Sequence, residues 1–131
     1  MKILLDTQCW LWWISAPEKL NRQVSRRIAD KRNTVYLSAA SSWEIAIKYS
    51  IGKLPLPEPP MRFIPKRLAR DAIAALPVEV IHTLYVADLP LHHKDPFDRI
   101  LISQSIQRGI PIVTADRQFE RYDVKIIPAG A

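Results

Sequence analysis

Apolar positions along this chain fall into short unbroken runs alternating with stretches of helical spacing. Lys2-Ile3-Leu4-Leu5 has no polar alternation, which suits a strand buried on both faces of a parallel sheet. It stops at Asp6-Thr7, and Cys9 to Ile14, with Trp10, Trp12 and Trp13, predicts a short helix pressed against that sheet. After Pro17-Glu18, Leu20, Val24 and Ile28 recur at helical spacing as far as Lys31, and Asn33 breaks the pattern. Thr34-Val35-Tyr36-Leu37 is β-branched and aromatic, hence a second strand. Ser38 then caps a helix carrying Trp43, Ile45, Ile47 and Ile51, which Gly52 ends. Leu54 to Pro60 is proline-rich and predicts a stiff, extended connector. Phe63 to Leu76 predicts a helix with Arg and Lys on its polar side, interrupted early by Pro65. Val78-Glu79-Val80-Ile81 predicts a third strand, and His82 to Ala87 a helical turn. Pro111-Ile112-Val113 predicts a fourth strand ending at Thr114-Ala115-Asp116. Arg117 to Tyr122 follows as a helical turn, and Val124 to Ile127 as a fifth strand.

Between the third and fourth strands lies the stretch with the clearest local instructions, Lys94 to Ile102. Asp95 is a natural N-cap. Pro96 occupies the first helical position, where its missing N–H costs nothing, so Asp98 falls in the first turn. Ile100, Leu101, Ile102 and Ile106 supply an apolar face up to the stop at Gly109. Strands alternating with helices predict an α/β fold, with a central, mainly parallel sheet of about five strands flanked by helices.

The composition changes this picture little. At 131 residues, 48 % of them apolar and 24 % charged, the chain fits one domain spanning 1–131 with a real core. A single cysteine, Cys9, rules out an internal disulfide and fits a reducing, cytoplasmic setting. The opening residues imitate a signal peptide only faintly, since Asp6 interrupts them and the apolar piece from Cys9 to Ile14 is six residues long. Signal peptide and membrane span are both rejected as expectations. The net charge of +6 is compatible with an ordinary lysine-rich surface or with a polyanionic partner.

Candidate chemistry rests on four acids. In an open parallel sheet, ligands bind beyond the C-terminal strand ends. Asp6 ends the first strand, Asp116 follows the fourth, Glu44 lies in the helix after the second, and Asp98 opens the helix leading to the fourth. Singly, each has an ordinary role: Asp6 and Asp116 as caps, Glu44 in a Ser41-Ser42-Trp43-Glu44 capping box, Asp98 at a helix dipole. Together they ask for a cation, because two carboxylates ~4 Å apart repel by roughly 4 kcal/mol at an effective dielectric of 20. Oxygen ligands select Mg²⁺ or Mn²⁺ over Zn²⁺, and such ions activate water in phosphodiester cleavage. His82, His92 and His93 form no spaced zinc pattern and are set aside as ligands. Cys9 and the tryptophans, Trp43 included, are assigned to the core, with a partner groove as the other use of the aromatics. Three glycines are too few for a phosphate loop. Lys48, Lys53 and Arg99 are open between phosphate contact and a solvated helix face. Thr7 and Thr114 are read as structural rather than as groups that orient a carboxylate or water.

Four stretches, LLDT with Asp6, LSAASSWEIAIKYSIGKL with Glu44, HKDPFDRILISQS with Asp98 and VTADRQFERYDV with Asp116, stand in the order and at the intervals of a known family. The chain resembles the PIN-domain ribonucleases, specifically VapC-type toxins of type II toxin–antitoxin systems. That resemblance implies a PIN-like fold and a Mg²⁺- or Mn²⁺-dependent endoribonuclease with an RNA substrate, inhibited by a cognate antitoxin protein and commonly a homodimer. It implies that Asp6, Glu44, Asp98 and Asp116 bind metal and activate water. Gln8 stands where many relatives carry His, Gln118 where some carry a further acid, and Asp95 is assigned to capping. Two other readings stay open on the residues alone: a non-catalytic RNA- or protein-binding α/β module, and a phosphoacceptor signalling domain.

Overall fold

The computed structural model describes residues 1–131. Five strands, β1 (Lys2–Leu5), β2 (Thr34–Ser38), β3 (Ala74–Leu76), β4 (Ile112–Thr114) and β5 (Ile126–Pro128), form one sheet in the order β3-β2-β1-β4-β5. Every pairing in it is parallel. Six helices flank it: α1 (Thr7–Ser15), α2 (Arg22–Ala29), α3 (Ala39–Ser50), α4 (Pro60–Asp71), α5 (Val80–Tyr85) and α6 (Pro96–Arg108). The α/β architecture expected from the alternation is therefore present, with all strands parallel.

The unbroken apolar run of β1 has the predicted cause. It is the central strand, and Ile3, Leu4 and Leu5 are completely buried. Alternation sends Ile3 and Leu5 into one core with Trp10, Val24, Ile28 and Ile45, and Leu4 into the other with Leu101, Ile102, Ile112 and Phe119. The chain moves outward from β1 to β3, then returns to place β4 on the other side of β1. The switch point thus falls where β1 and β4 end, and that is where this topology leaves a crevice.

Two expectations about the middle of the chain are corrected. The helix expected over Phe63 to Leu76 runs instead over Pro60–Asp71, and Ala74–Leu76 forms β3, in register with Tyr36 to Ser38. The break comes at Ala72, which takes a left-handed conformation (φ 52°) as the helix closes with an Ile73 N–H to Leu68 carbonyl bond. The expected strand Val78–Ile81 does not exist. Pro77 follows the edge strand, Glu79 is extended, and Val80 and Ile81 begin α5 with their side chains exposed. At the far edge, β5 lies two residues later than expected at its start, and Pro128 is tolerated there because an edge strand need not donate on its outer side. No helix is long and apolar enough to cross a membrane.

Candidate metal centre

Asp6 is both the end of β1 and the N-cap of α1. The Cys9 N–H donates to its Oδ1 (2.6 Å), and the Thr114 hydroxyl donates to its Oδ2 (2.5 Å). Thr114 accepts in turn from the Asp116 N–H (3.0 Å), so one hydroxyl ties the ends of β1 and β4 together. The sequence reading of Thr114 as merely structural is corrected: it orients a carboxylate. Thr7, by contrast, donates to the Ser41 hydroxyl (2.8 Å) and so fastens α1 to α3.

Glu44 lies in α3, whose cap is Ser38, not Ser41. No capping box forms, and Glu44 points inward. It is 5 % exposed, its Oε2 receives the Lys48 ammonium (2.7 Å), and its Oε1 is buried without any hydrogen-bond partner. A buried carboxylate oxygen left unpaired is costly and asks for a ligand. Asp95 caps α6 as expected, accepting from the N–H groups of Phe97 and Asp98. Asp98 follows in the first turn, and Asp116 caps the 3-10 turn Arg117–Arg121 through the Gln118 N–H.

All four acids line one cleft of ≈ 400 Å³, with Asp95, Lys48, Gln8, Leu11 and Trp12 also in its wall. Capping and clustering are therefore not alternatives for Asp6 and Asp116: the strand-to-helix turns that need caps are the turns that face the crevice. Crowding shows in the ionisation. Asp98 is pushed up to about 7 by burial, with the Asp95, Asp6 and Glu44 carboxylates adding to the rise and His93 opposing it. Burial likewise raises Asp6, against the Thr114 and Cys9 hydrogen bonds that lower it. The Lys48 ammonium is held above its ordinary range, first by its bond to Glu44.

These directions set a pH dependence. A carboxyl that holds its proton more tightly folded than unfolded contributes stability below its unfolded pKa, and that contribution is lost as pH rises through the folded value. Metal-free protein is therefore expected to lose a few kcal/mol between about pH 4 and, for Asp98, about pH 7. Melting temperatures measured in EDTA across that range should fall, and Mg²⁺ or Mn²⁺ added at pH 8 should recover them. A profile that rises over this range would contradict the assignment.

Sequence reasoning missed His93. Its Nε2 lies 3.0 Å from Oδ2 of both Asp98 and Asp116, and its ring is packed edge-on against Phe119. The other two histidines stand elsewhere: His82 accepts the Glu79 N–H, and His92 packs against Tyr122. Arg99 is neither a phosphate contact nor a solvated residue. It is 9 % exposed and donates to the carbonyls of Val86, Leu89, Pro90 and His93 and to the Tyr122 hydroxyl. The assignment of all four tryptophans to the core is corrected as well. Trp10 is fully buried, whereas Trp43 is 62 % exposed, edge-on to Phe97.

A PIN domain family model matches residues 3–125. The chain belongs to the PIN domain family. Within this PIN domain, 58 residues are 48 % identical to ribonuclease VapC16 of Mycobacterium tuberculosis, covering 44 % of the chain and 41 % of that relative. The match therefore spans well under half the length of the curated relative. Solved structures share the PIN fold over nearly the whole chain. VapBC2 from Rickettsia felis, bound to a DNA fragment from its promoter, superposes with a TM-score of 0.75 at 19 % identity, covering 98 % of this chain and 99 % of that one. FitAcB from Neisseria gonorrhoeae gives 0.62 at 22 % identity, covering 95 % and 96 %. VapBC-5 from Mycobacterium tuberculosis gives 0.63 at 17 %, covering 97 % and 98 %.

Proposed function

We propose that this PIN domain is a metal-dependent endoribonuclease of the VapC type, held inactive by a cognate antitoxin protein. The observation that carries the reading is the convergence of Asp6, Glu44, Asp98 and Asp116 on one cleft, with a buried Glu44 oxygen that nothing in the protein satisfies. An all-oxygen donor set fits a hard divalent ion, Mg²⁺ or Mn²⁺. Asp6 and Asp98 would be the principal ligands, and Glu44 and Asp116 would complete the pocket and orient the attacking water. When bound, the ion supplies Lewis acidity toward water and the scissile phosphate. The chain supplies the rest: Thr114 and Cys9 fix the Asp6 carboxylate, Lys48 offsets Glu44, and the +6 surface draws in a phosphate chain. Purified protein, freed of any partner and incubated with mixed RNAs in Mg²⁺, Mn²⁺ or EDTA, should cut only with metal.

The likeness to VapBC-5, of the VapBC family of toxin–antitoxin systems, supports an antitoxin partner, and the free, buried thiol of Cys9 fits a cytoplasmic setting. The phosphoacceptor reading is disfavoured because Asp6 is followed by Thr7 and Gln8, without a second acid directly after the first strand. A purely capping module is disfavoured by Glu44, which caps nothing.

Self-association also has a candidate face. An apolar groove lined by Ala39, Trp43, Val78, Pro96, Phe97 and Ile100 lies where α3, α5 and α6 meet, and Val80, Ile81 and Leu84 of α5 are exposed beside it. An isologous homodimer would cover such a face. Light scattering of the isolated protein should give a dimer, and Ile81→Glu with Leu84→Glu should give a monomer with an unchanged circular dichroism spectrum.

A further inference from the structure

We propose that His93 is the positioning residue of the acid pocket: its Nε2, hydrogen-bonded to Asp116 and in contact with Asp98, sets these two carboxylates at the spacing that receives the divalent ion. This rests on the metal-dependent reading above and assigns a part of the site that the four acids leave undescribed. The tautomer follows from the hydrogen bonds. The Asp95 N–H donates to His93 Nδ1 (3.2 Å), so that nitrogen presents a lone pair and a neutral ring carries its proton on Nε2. Nε2 faces Oδ2 of Asp98 and Oδ2 of Asp116, each at 3.0 Å. That nitrogen is hydrogen-bonded to Asp116 and lies against Asp98, so it bridges two acids that repel each other and fixes one oxygen of Asp116. The second oxygen of Asp116 is taken by the Gln118 N–H (2.9 Å), which leaves that carboxylate a single orientation.

The ring has little freedom to do anything else. The His93 N–H donates to the Tyr122 hydroxyl (2.8 Å), its carbonyl accepts from the Arg99 guanidinium (3.4 Å), and Phe119 packs against it at 5.8 Å between centroids. The residue is 7 % exposed and does not line the cleft that the acids line. Its Nε2 is engaged with the two carboxylates, not with the cleft. His93 therefore acts through Asp98 and Asp116, as groups behind a ligand shell do when they orient the ligands. Asp95 takes part twice, since its carboxylate caps α6 while its own N–H sets the His93 tautomer.

The test uses the full chain and Mn²⁺ alone, titrated calorimetrically so that no cleavage need be observed. His93→Leu, which has no N–H, should weaken Mn²⁺ binding by about 10–100-fold. His93→Gln, whose amide N–H reaches nearly the same point as Nε2, should stay within about threefold of wild type. Should His93→Leu fail to fold, His93→Asn, whose shorter amide falls short of the acids, should show the same loss. Equal weakening in the Gln variant would overturn the proposal by pointing to the ring as a ligand. Wild-type affinity in the Leu or Asn variant would overturn it too. Nitrogen NMR of the metal-free protein should show His93 protonated at Nε2; protonation at Nδ1 alone would overturn the role whatever the metal does. Failure of the wild type to bind Mn²⁺ would instead bring down the metal reading itself, and this role with it.

Discussion

Asp98→Asn is expected to remove RNA cleavage, lowering kcat/KM by at least about 10³, and at the same time to raise the melting temperature of the metal-free protein at pH 8 by several degrees. The two effects have one cause. Asp98 is crowded by the Asp95, Asp6 and Glu44 carboxylates and is partly buried, so its ionised form is costly and its proton is retained up to about pH 7. An amide of the same shape removes that cost, which is worth a few kcal/mol above pH 7, and removes the charge that a divalent ion would need. An acid that served only the helix dipole would behave in the opposite way, because its replacement by Asn would cost stability. The measurement is a melting curve in EDTA beside a cleavage assay in Mn²⁺, on the same preparation. Lost stability with retained cleavage would defeat the functional reading. So would Asp6→Asn with full activity, although that variant also breaks the acceptor of the Thr114 and Cys9 bonds and is the less clean of the two.

Arg99→Met should have the largest effect on the fold, a loss of about 3–5 kcal/mol. The guanidinium is buried and has no carboxylate partner. Its Nη1 and Nη2 donate to four backbone carbonyls and one hydroxyl. Those carbonyls belong to Val86, Leu89, Pro90 and His93, in a connection with only a 3-10 turn of its own, so much of its backbone has no sheet or helix to bond to. A thioether fills part of the volume but satisfies none of the acceptors. Arg99→Lys should recover only part of the loss, because an ammonium cannot reproduce a planar fork that reaches several carbonyls at once. Urea midpoints for the three proteins give the ordering directly. Since Arg99 holds the His93 carbonyl, cleavage should fall in both variants, but with falling stability, unlike Asp98→Asn. A stable Arg99→Met would show that this connection is held by its apolar contacts alone.

Much of the site was legible because its acids stand at places with local signals. Asp6 follows an unbroken apolar run, Asp95-Pro96 announces a helix start, and Ser38 caps α3. What escaped has no local signal. Ala72 ends α4 in a left-handed conformation that sequence normally marks with Gly or Asn, so the helix read straight on through β3. Val78, Val80 and Ile81 are β-branched, yet the sheet edge was already occupied by Ala74–Leu76. His93 and Arg99 look like ordinary surface residues in Pro90 to Arg99, because their partners, Asp116 and Tyr122, lie 23 residues away in sequence. One clue was available for His93: a histidine two residues before an N-cap stands where that cap's own N–H is free to reach it. Trp43 was misplaced because its helix carries apolar side chains on two faces, and only Ile45 of Trp43, Ile45, Ile47 and Ile51 belongs to the core.

The strand order has a consequence for biogenesis. Asp6 and Glu44 are synthesised before β3, whereas His93, Asp98, Thr114 and Asp116 come after the whole β1-β2-β3 half-sheet. A nascent chain can assemble that half-sheet while still attached to the ribosome, yet it then holds only two of the four acids, and the open edge of β1 has no partner. The pocket closes when β4 docks on β1 and Thr114 reaches Asp6 across 108 residues. At translation rates of about 5–20 residues per second, the remaining stretch takes on the order of seconds to emerge. The four-acid cleft therefore forms only with that final docking, after the ribosome has finished the segment that completes it.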